Sequence, residues 1–202
     1  MIGLMGGTLD PVHYGHLLIA EQAREQYDLE RVVWLPAGDP PHKEGEQRAT
    51  QEHRYAMAVL ATASNPHFYV SRLELEREGP SYTIYTLEHF QREYPGAELF
   101  FITGADTALD LLTWHRHAEV VRACRFLAAP RPGFDLSRLG EVLPPEYVSR
   151  ILPLRAPVVD ISSTEIRARV RQGESIRYLV PEAVEAYIHK HGLYTGQHSN
   201  EG

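Results

Sequence analysis

The sequence contains few of the features that define several large classes of protein. Its 202 residues include a single cysteine, Cys124, so no disulfide can form within the chain, and we expect this residue to be a small core side chain. No stretch is apolar for long enough to cross a membrane, and the apolar start is interrupted by Gly6, Gly7 and Asp10. These absences predict a soluble, cytoplasmic protein with neither a signal peptide nor a membrane helix.

An excess of positive charge is also missing. The chain has 20 Lys and Arg against 27 Asp and Glu, which gives a formal net charge of -7. This balance argues against a general nucleic-acid binder, because affinity for phosphate backbones depends on clustered basic side chains. A small phosphorylated ligand needs only a few local cations, so that class of partner stays open.

Short apolar runs alternate with amphipathic stretches along most of the chain. The candidate strands are "IGLM", "RVVWLPAG", "HFYVSRLEL", "AELFFITG", "RFLAAPRPG" and, less clearly, "SRILPLRAPVVDIS". This alternation of strand and helix patterns predicts an α/β fold with a doubly wound, mainly parallel sheet covered by helices on both faces. The last stretches, "STEIRARVRQG" and "PEAVEAYIHKHG", predict a small C-terminal helical part. We expect one domain over residues 1–194 and a disordered tail over 195–202.

The turns that follow the strands are the expected binding region. In open parallel sheets, ligands bind beyond the carboxyl ends of the strands, near the switch in strand order. The stretches "GGTLDPVHYGH", "PAGDPPHK", "TGAD" and "APRPG" should therefore lie along one edge of the sheet.

The stretch "GGTLDPVHYGH", residues 6–16, matches neither of the standard phosphate-binding loops. Its glycines still allow close approach to the backbone, and a helix that starts near Gly15 would present free N–H groups to an anion. His13 and His16, three positions apart, should lie on the same side of that helix start and donate to phosphate oxygens, with the small Gly15 leaving room between them. The alternatives are a structural capping histidine or a zinc site, although no cysteine cluster or H-E-x-x-H motif accompanies the pair.

The same stretch resembles the G-G-x-F-D-P-x-H-x-G-H signature of the nucleotidylyltransferase superfamily, with Leu9 in place of Phe. The second signature of that superfamily appears as "ISSTEIR", residues 161–167. With "PPHK", "GPSYT", "TGAD" and "TW", the chain is similar to the bacterial nicotinate mononucleotide adenylyltransferases in particular. The resemblance implies a Rossmann-like fold and the transfer of an adenylyl group from ATP to nicotinate mononucleotide, a step of NAD biosynthesis.

The resemblance also implies the catalytic residues. His13 and His16 would stabilise the charge that develops on the transferred phosphate, and Arg167 would bind the β and γ phosphate oxygens. Lys43 would stabilise the leaving pyrophosphate, and Arg131, on the same edge, is a candidate to assist it. The alternative for Arg167 and Lys43 is a solvated side chain. Mg²⁺ would arrive with ATP, and the chain itself would hold no metal site.

The implied ATP-binding residues come from three stretches. Gly104 would let the nucleotide approach, and Asp106 would bind a ribose hydroxyl or, alternatively, cap the helix that follows. Ser162 and its neighbours would form a second helix start facing phosphate, or only a plain cap. The full set is Gly6, Gly7, Thr8, Leu9, Gly104, Asp106, Ile161, Ser162, Ser163 and Thr164.

Recognition of the acceptor would depend on Thr83, Trp114 and His115. The resemblance implies that Trp114 stacks on the pyridine ring, while backbone N–H groups near Thr83 and His115 bind the carboxylate of nicotinate. Relatives usually carry Tyr at the position of His115, so selectivity for the acid over the amide could be weaker here. The structural alternative for Trp114 is a core anchor.

Other functions remain open at the level of the sequence. A phosphopantetheine adenylyltransferase and a glycerol-phosphate cytidylyltransferase share parts of the pattern, but His13, the length and the "SYT" and "TW" stretches disfavour both. A non-catalytic nucleotide sensor would not need both histidines together with Lys43 and Arg167. The expected partners are therefore ATP and nicotinate mononucleotide, and the sequence leaves a homo-oligomer open.

Overall fold

A computed structural model describes residues 1–39, 48–130 and 139–196. Within these ranges the strands form one sheet in the order β3-β2-β1-β4-β5-β6, and every neighbouring pair is parallel. The strands are β1 (Ile2–Gly7), β2 (Arg31–Pro36), β3 (Phe68–Val70), β4 (Leu99–Gly104), β5 (Arg125–Ala129) and β6 (Ile151–Pro153). The predicted parallel sheet is confirmed, but β3 and β6 are much shorter than their candidate stretches.

Helices connect the strands on both faces of this sheet, as predicted. They are α1 (Tyr14–Gln26), α2 (Gln51–Thr62), α3 (Thr83–Glu93), α4 (Ala105–Leu109), α5 (His117–Ala123), α6 (Leu139–Val142), α7 (Pro145–Val148), α8 (Ser163–Arg171) and α9 (Glu182–Lys190), with a 3₁₀ turn at Leu111–Thr113. The sequence patterns did not predict α5, α6 or α7. These helices have seven, four and four residues, too few for the apolar spacing i, i+3, i+4, i+7 to appear.

The alternation of side chains along the strands separates two cores, one on each face of the sheet. Val32 and Trp34 of β2 lie in the first core, which is covered by α1, α2, α8 and α9. Val33 and Leu35 lie in the second core, which is covered chiefly by α3 and α5. Cys124 is buried in the second core, as expected.

The order of the strands places a switch point between β1 and β4. From β1 the chain moves outwards to β2 and β3, and then crosses back to β4 on the other side. The crossovers therefore diverge at the carboxyl ends of β1 and β4, where Gly7 and Gly104 lie. The predicted edge is present in the described residues, whereas "PPHK" with Lys43, and also Arg131, lie outside them.

Candidate active site

The turn after β1 is built around one residue in an unusual backbone conformation. Leu9 has φ of 51°, in the left-handed region, and its side chain is buried in the first core. The Asp10–Pro11 peptide bond that follows is cis, and α1 begins three residues further on. This burial explains why an apolar side chain suits position 9, where the superfamily signature has Phe. Any contact of Leu9 with a nucleotide must therefore come from its backbone.

The two histidines of this turn lie against each other. His13 is the N-cap residue of α1, and its ring stacks on that of His16 with centroids 3.7 Å apart and planes 28° apart. The backbone N–H of His13 donates to Nδ1 of His16 at 3.3 Å. Since Nδ1 accepts, the proton of the neutral His16 ring is on Nε2, which is a hydrogen-bond donor. The prediction that both rings lie on one side of the helix start is confirmed.

The absence of a side chain at Gly15 makes room for the ring of His13, and not for a ligand. A Cβ atom at Gly15 would lie 3.0 Å from Nδ1 and 3.1 Å from Cε1 of His13. The room that we expected Gly15 to leave for phosphate is taken by the imidazole ring. The glycine thus determines where His13 lies.

Gly6 has a similar role towards the second core. A Cβ atom at Gly6 would lie 3.0 Å from Cζ of Phe101 on the neighbouring strand β4. The next carbonyl, that of Gly7, accepts a hydrogen bond from the N–H of Ala37 at 2.9 Å. Both glycines therefore help to hold β1 against its neighbours at the edge where a ligand would enter.

The second signature packs directly on the first. Ser162 is the N-cap residue of α8, and its hydroxyl accepts from the N–H of Glu165 at 3.1 Å. Ser163 Oγ donates to the carbonyl of Pro11 at 2.8 Å. The carbonyl of Ile161 lies 3.8 Å from the position of a Cβ at Gly15. The N-termini of α1 and α8 therefore lie side by side.

Arg167 completes this junction. Its side chain is buried, so the solvated alternative is wrong. Its Nη1 donates to the carbonyl oxygen of Asp10 at 2.8 Å, across 157 positions of sequence. At least part of the guanidinium therefore braces the signature turn.

Gly104 and Asp106 lie at the carboxyl end of β4. Gly104 is the N-cap residue of α4, with φ of -78° and ψ of 159°. Asp106 is the second residue of that helix, so the expectation that it caps the helix is wrong. Its carboxylate lies in the first turn, where an acidic group suits the helix dipole.

The two stretches expected to bind the acceptor come together. The ring of Tyr82, from "GPSYT", stacks on His115 with centroids 4.2 Å apart. Thr83 is the first residue of α3, and Ser81 Oγ accepts from the N–H groups of Gly38 and Asp39 at 3.0 and 3.2 Å. The start of α3 is therefore tied to the turn after β2.

The core-anchor alternative for Trp114 is confirmed by the packing of its ring. Its ring meets Phe101 and Phe126 edge-on, with centroids 5.6 and 6.1 Å away, and packs against the second core. The residue is nevertheless only partly buried. It is an anchored aromatic side chain that keeps some accessible surface.

Two buried charged residues at this turn were not recognised from the sequence, one within the turn and one that contacts it from α2. Asp10 is 1% exposed, and burial raises the pKa of its carboxyl, against the lowering effects of the Tyr194 hydroxyl and of Arg167. Arg54, on α2, is 2% exposed and donates to the carbonyl of Thr8 at 2.9 Å and to that of Gly38 at 3.2 Å. Asp10 was visible within the signature, but nothing near Arg54 in the sequence indicates its contact.

A parallel sheet that presents two helix starts, a pair of histidines and a buried arginine at its switch point defines a nucleotide-binding α/β protein of the doubly wound class. The cytidylyltransferase-like family matches residues 4–169 of this chain. A protein of Moorella thermoacetica named "Probable nicotinate-nucleotide adenylyltransferase" is 52% identical over 197 residues, covering 96% of this chain and 91% of that protein. One with the same name from Thermus thermophilus is 51% identical over 193 residues, covering 96% and 98%. The chain belongs to the cytidylyltransferase-like family and, within it, to the nicotinate-nucleotide adenylyltransferases.

Solved structures agree on the fold. The nicotinic acid mononucleotide adenylyltransferase of Plasmodium falciparum complexed with NaAD has a TM-score of 0.78 at 18% identity, with 96% of each chain covered. At that identity the likeness concerns the fold alone. In the part of the chain that the structure describes, no helix is long and apolar enough to cross a membrane.

Proposed function

We propose that this chain transfers the adenylyl group of ATP to nicotinate mononucleotide, giving nicotinate adenine dinucleotide and pyrophosphate, in the biosynthesis of NAD. The relatives that are 52% and 51% identical carry the name of this activity. The observation that carries the proposal is the junction of the two signatures, through Ser163 Oγ and the Pro11 carbonyl, beside the stacked histidines. Two helix starts and two imidazoles then face one region, which suits a triphosphate.

The reaction needs positioning more than proton transfer. A phosphate oxygen of the mononucleotide forms a bond to the α-phosphorus, while the bond to the bridging oxygen breaks and its electron pair leaves with pyrophosphate. The attacking phosphate is already an anion, so no general base is required. His16, with its proton on Nε2, and His13 would donate to the oxygens on which charge develops.

The remaining phosphate contacts would come from α8 and from residues outside the described ranges. Ser162, Ser163 and Thr164 offer N–H groups and hydroxyls at the start of α8. Arg167 would use guanidinium N–H groups other than the one held by Asp10, and Lys43 would stabilise the leaving pyrophosphate. Asp106 would bind a ribose hydroxyl of the adenosine, next to Gly104.

For the acceptor, we propose that Trp114 stacks on the pyridine ring. Its own ring is held edge-on by Phe101 and Phe126, which leaves its position fixed before the ligand arrives. Backbone N–H groups near Thr83 and His115 would bind the carboxylate. This arrangement favours nicotinate over nicotinamide, because the NH₂ group of the amide is a donor and would face a backbone N–H where the carboxylate has an acceptor oxygen.

We propose that Mg²⁺ enters as the complex with ATP, held by phosphate oxygens. Across residues 1–39, 48–130 and 139–196, no group of three or more His, Cys, Asp or Glu side chains is arranged to hold a metal ion. We also propose that residues 1–194 act as one domain, since α8 and α9 share the first core with α1 and α2.

The test is pyrophosphate release from MgATP with four acceptors in parallel: nicotinate mononucleotide, nicotinamide mononucleotide, phosphopantetheine and glycerol phosphate. We expect a strong preference for the first, and a loss of about 10²- to 10³-fold in kcat for His16→Ala with ATP binding retained. The control is His67→Ala, which changes an exposed histidine directly before β3, on the side of β2 that faces away from β1. No turnover with any acceptor, despite binding of ATP, would favour a nucleotide sensor instead.

A further inference from the structure

The C-terminal end of the described chain reaches back to the signature turn. Tyr194 donates its hydroxyl hydrogen to Oδ1 of Asp10 at 2.5 Å, across 184 positions of sequence. Its hydroxyl also lies 4.0 Å from Sδ of Met57, and its ring packs against the first core. None of the roles described above uses this contact.

The Asp10 carboxylate joins three segments of the chain. It is 1% exposed, and the oxygen that accepts from Tyr194 also accepts from the N–H of Ala49 at 3.3 Å. Ala49 lies just before α2. A buried carboxylate is costly without donors, so the signature turn, the entry to α2 and the C-terminal segment hold one another in place.

Two buried arginines hold the backbone of the same turn. Arg54 Nη1 donates to the carbonyl of Thr8, and Arg167 Nη1 donates to the carbonyl of Asp10. Between these two carbonyls lies Leu9, with its left-handed φ of 51°. A non-glycine residue keeps such a conformation only where its surroundings impose it. The contacts of Asp10 are part of what imposes it here.

We propose that Tyr194 is a positioning residue for adenylyl transfer, and this proposal rests on the proposed function. Through the Asp10 carboxylate it fixes the turn over residues 8–10, and with it the start of α1 where His13 and His16 lie. Among the described residues, loss of the hydroxyl would leave that oxygen with the N–H of Ala49 alone. The turn could then relax, and small displacements of catalytic groups have large effects on rate.

The test compares Tyr194→Phe with Tyr187→Phe. Tyr187 is the matched control because it lies on α9 and its hydroxyl contacts Nδ1 of His53 at 3.0 Å instead of the signature turn. For each variant we would measure kcat and KM with MgATP and nicotinate mononucleotide, at a temperature well below the midpoint of thermal unfolding. The ring-nitrogen NMR signals of His13 and His16 in the substrate-free protein give a second readout.

For Tyr194→Phe we expect kcat to fall about tenfold, KM for nicotinate mononucleotide to stay unchanged, and the signals of His13 and His16 to shift. For Tyr187→Phe we expect wild-type kcat and a shift of the His53 signal only. Wild-type kcat and unmoved His13 and His16 signals in Tyr194→Phe would overturn the proposal, even with a lower unfolding midpoint.

The same experiment separates this proposal from the proposed function. If the wild-type protein does not turn over nicotinate mononucleotide, the proposed function fails. The histidine signals then decide the positioning role by themselves. Displaced signals in Tyr194→Phe support it, and unmoved signals reject it.

Discussion

Tyr82 and His115 stack, with ring centroids 4.2 Å apart and planes inclined by 21°. Tyr82 precedes the first residue of α3, whereas His115 follows the 3₁₀ turn after β4. Tyr85 lies on the same side, with its centroid 6.0 Å from that of His115. His115 is thus held against α3, and the two stretches expected to bind the acceptor depend on each other.

We therefore expect His115→Ala to raise KM for nicotinate mononucleotide about 2- to 10-fold, since an aromatic stack contributes about 0.5–1.5 kcal/mol. KM for ATP should not change, and His115→Tyr should keep the wild-type value because it preserves a stacked ring. Steady-state kinetics with each substrate varied will measure this. His89→Ala, at a partly exposed histidine of α3 paired with Glu93, is the control. Equal KM values for His115→Ala and wild type would contradict the prediction.

Gly15→Ala tests the packing of His13. Alanine in a helix is normally about 1 kcal/mol more favourable than glycine, but here the new methyl group would lie 3.0 Å from Nδ1 of His13. The ring must move, so we expect kcat to fall about tenfold or more. Gly140→Ala, in α6, has no atom of the described residues within 4 Å of the new Cβ and should keep full activity. Similar kcat values for the two variants would show that the rate of the reaction does not depend on the present position of the His13 ring.

Arg167→Lys tests whether this residue both braces the turn and binds phosphate. A lysine ammonium cannot replace a guanidinium that donates in two directions at once. We expect the free energy of unfolding to fall by about 1–3 kcal/mol, through loss of the contact with the Asp10 carbonyl, and KM for ATP to rise. Urea denaturation and kinetics measure the two effects separately. Arg171→Lys, at the exposed end of α8, is the control. A stability loss with unchanged KM for ATP would limit Arg167 to bracing the turn.

The buried carboxyl of Glu74 should make the free energy of unfolding depend on pH. It is buried and accepts from Thr86 Oγ1 at 2.7 Å, and burial raises the pKa of its carboxyl above the ordinary value of 4.5. Its contribution to stability is therefore fully present below about pH 4.5 and is lost as the pH rises through the folded-state pKa. Glu74→Gln keeps an acceptor for Thr86 but cannot ionise.

The free energy of unfolding of Glu74→Gln, relative to wild type, should accordingly increase with pH and level off above the folded-state pKa. Each unit by which that pKa exceeds the unfolded value contributes about 1.4 kcal/mol. Urea denaturation of both proteins between about pH 4 and pH 8 will measure the difference. A difference that is constant over this range would mean that the pKa of Glu74 is the same in both states.

The central strands could be predicted from the sequence because they are continuous apolar runs. The edge strands, β3 and β6, could be predicted only in part, since each pairs with another strand on one side and not on both. The stretch "HFYVSRLEL" suggested a long strand, but after Val70 the N–H of Ser71 donates to Trp34 and the ladder with β2 ends. Helix α5 was missed because its seven residues are too few to show the repeated apolar spacing of a helix.

The candidate site divides in a similar way. The proximity of His13 and His16 followed from their spacing at a helix start, which is local geometry. The N-cap expectation for Asp106 was wrong because α4 starts at Ala105, two residues before Thr107, and follows the extended Gly104. The contacts of Arg54 with Thr8 and of Tyr194 with Asp10 join residues 46 and 184 positions apart, and no local pattern encodes them.

The division of the protein into two cores has a consequence for how such enzymes can diverge. Helices α1 and α8, which carry both signatures, pack in the first core, whereas α3 and Trp114 pack in the second. If Trp114 and the start of α3 bind the acceptor as proposed, substitutions in the second core would change that site more than the first core, which supports α1 and α8. A lineage can in this way exchange one accepting nucleotide for another without passing through forms that have lost the chemistry.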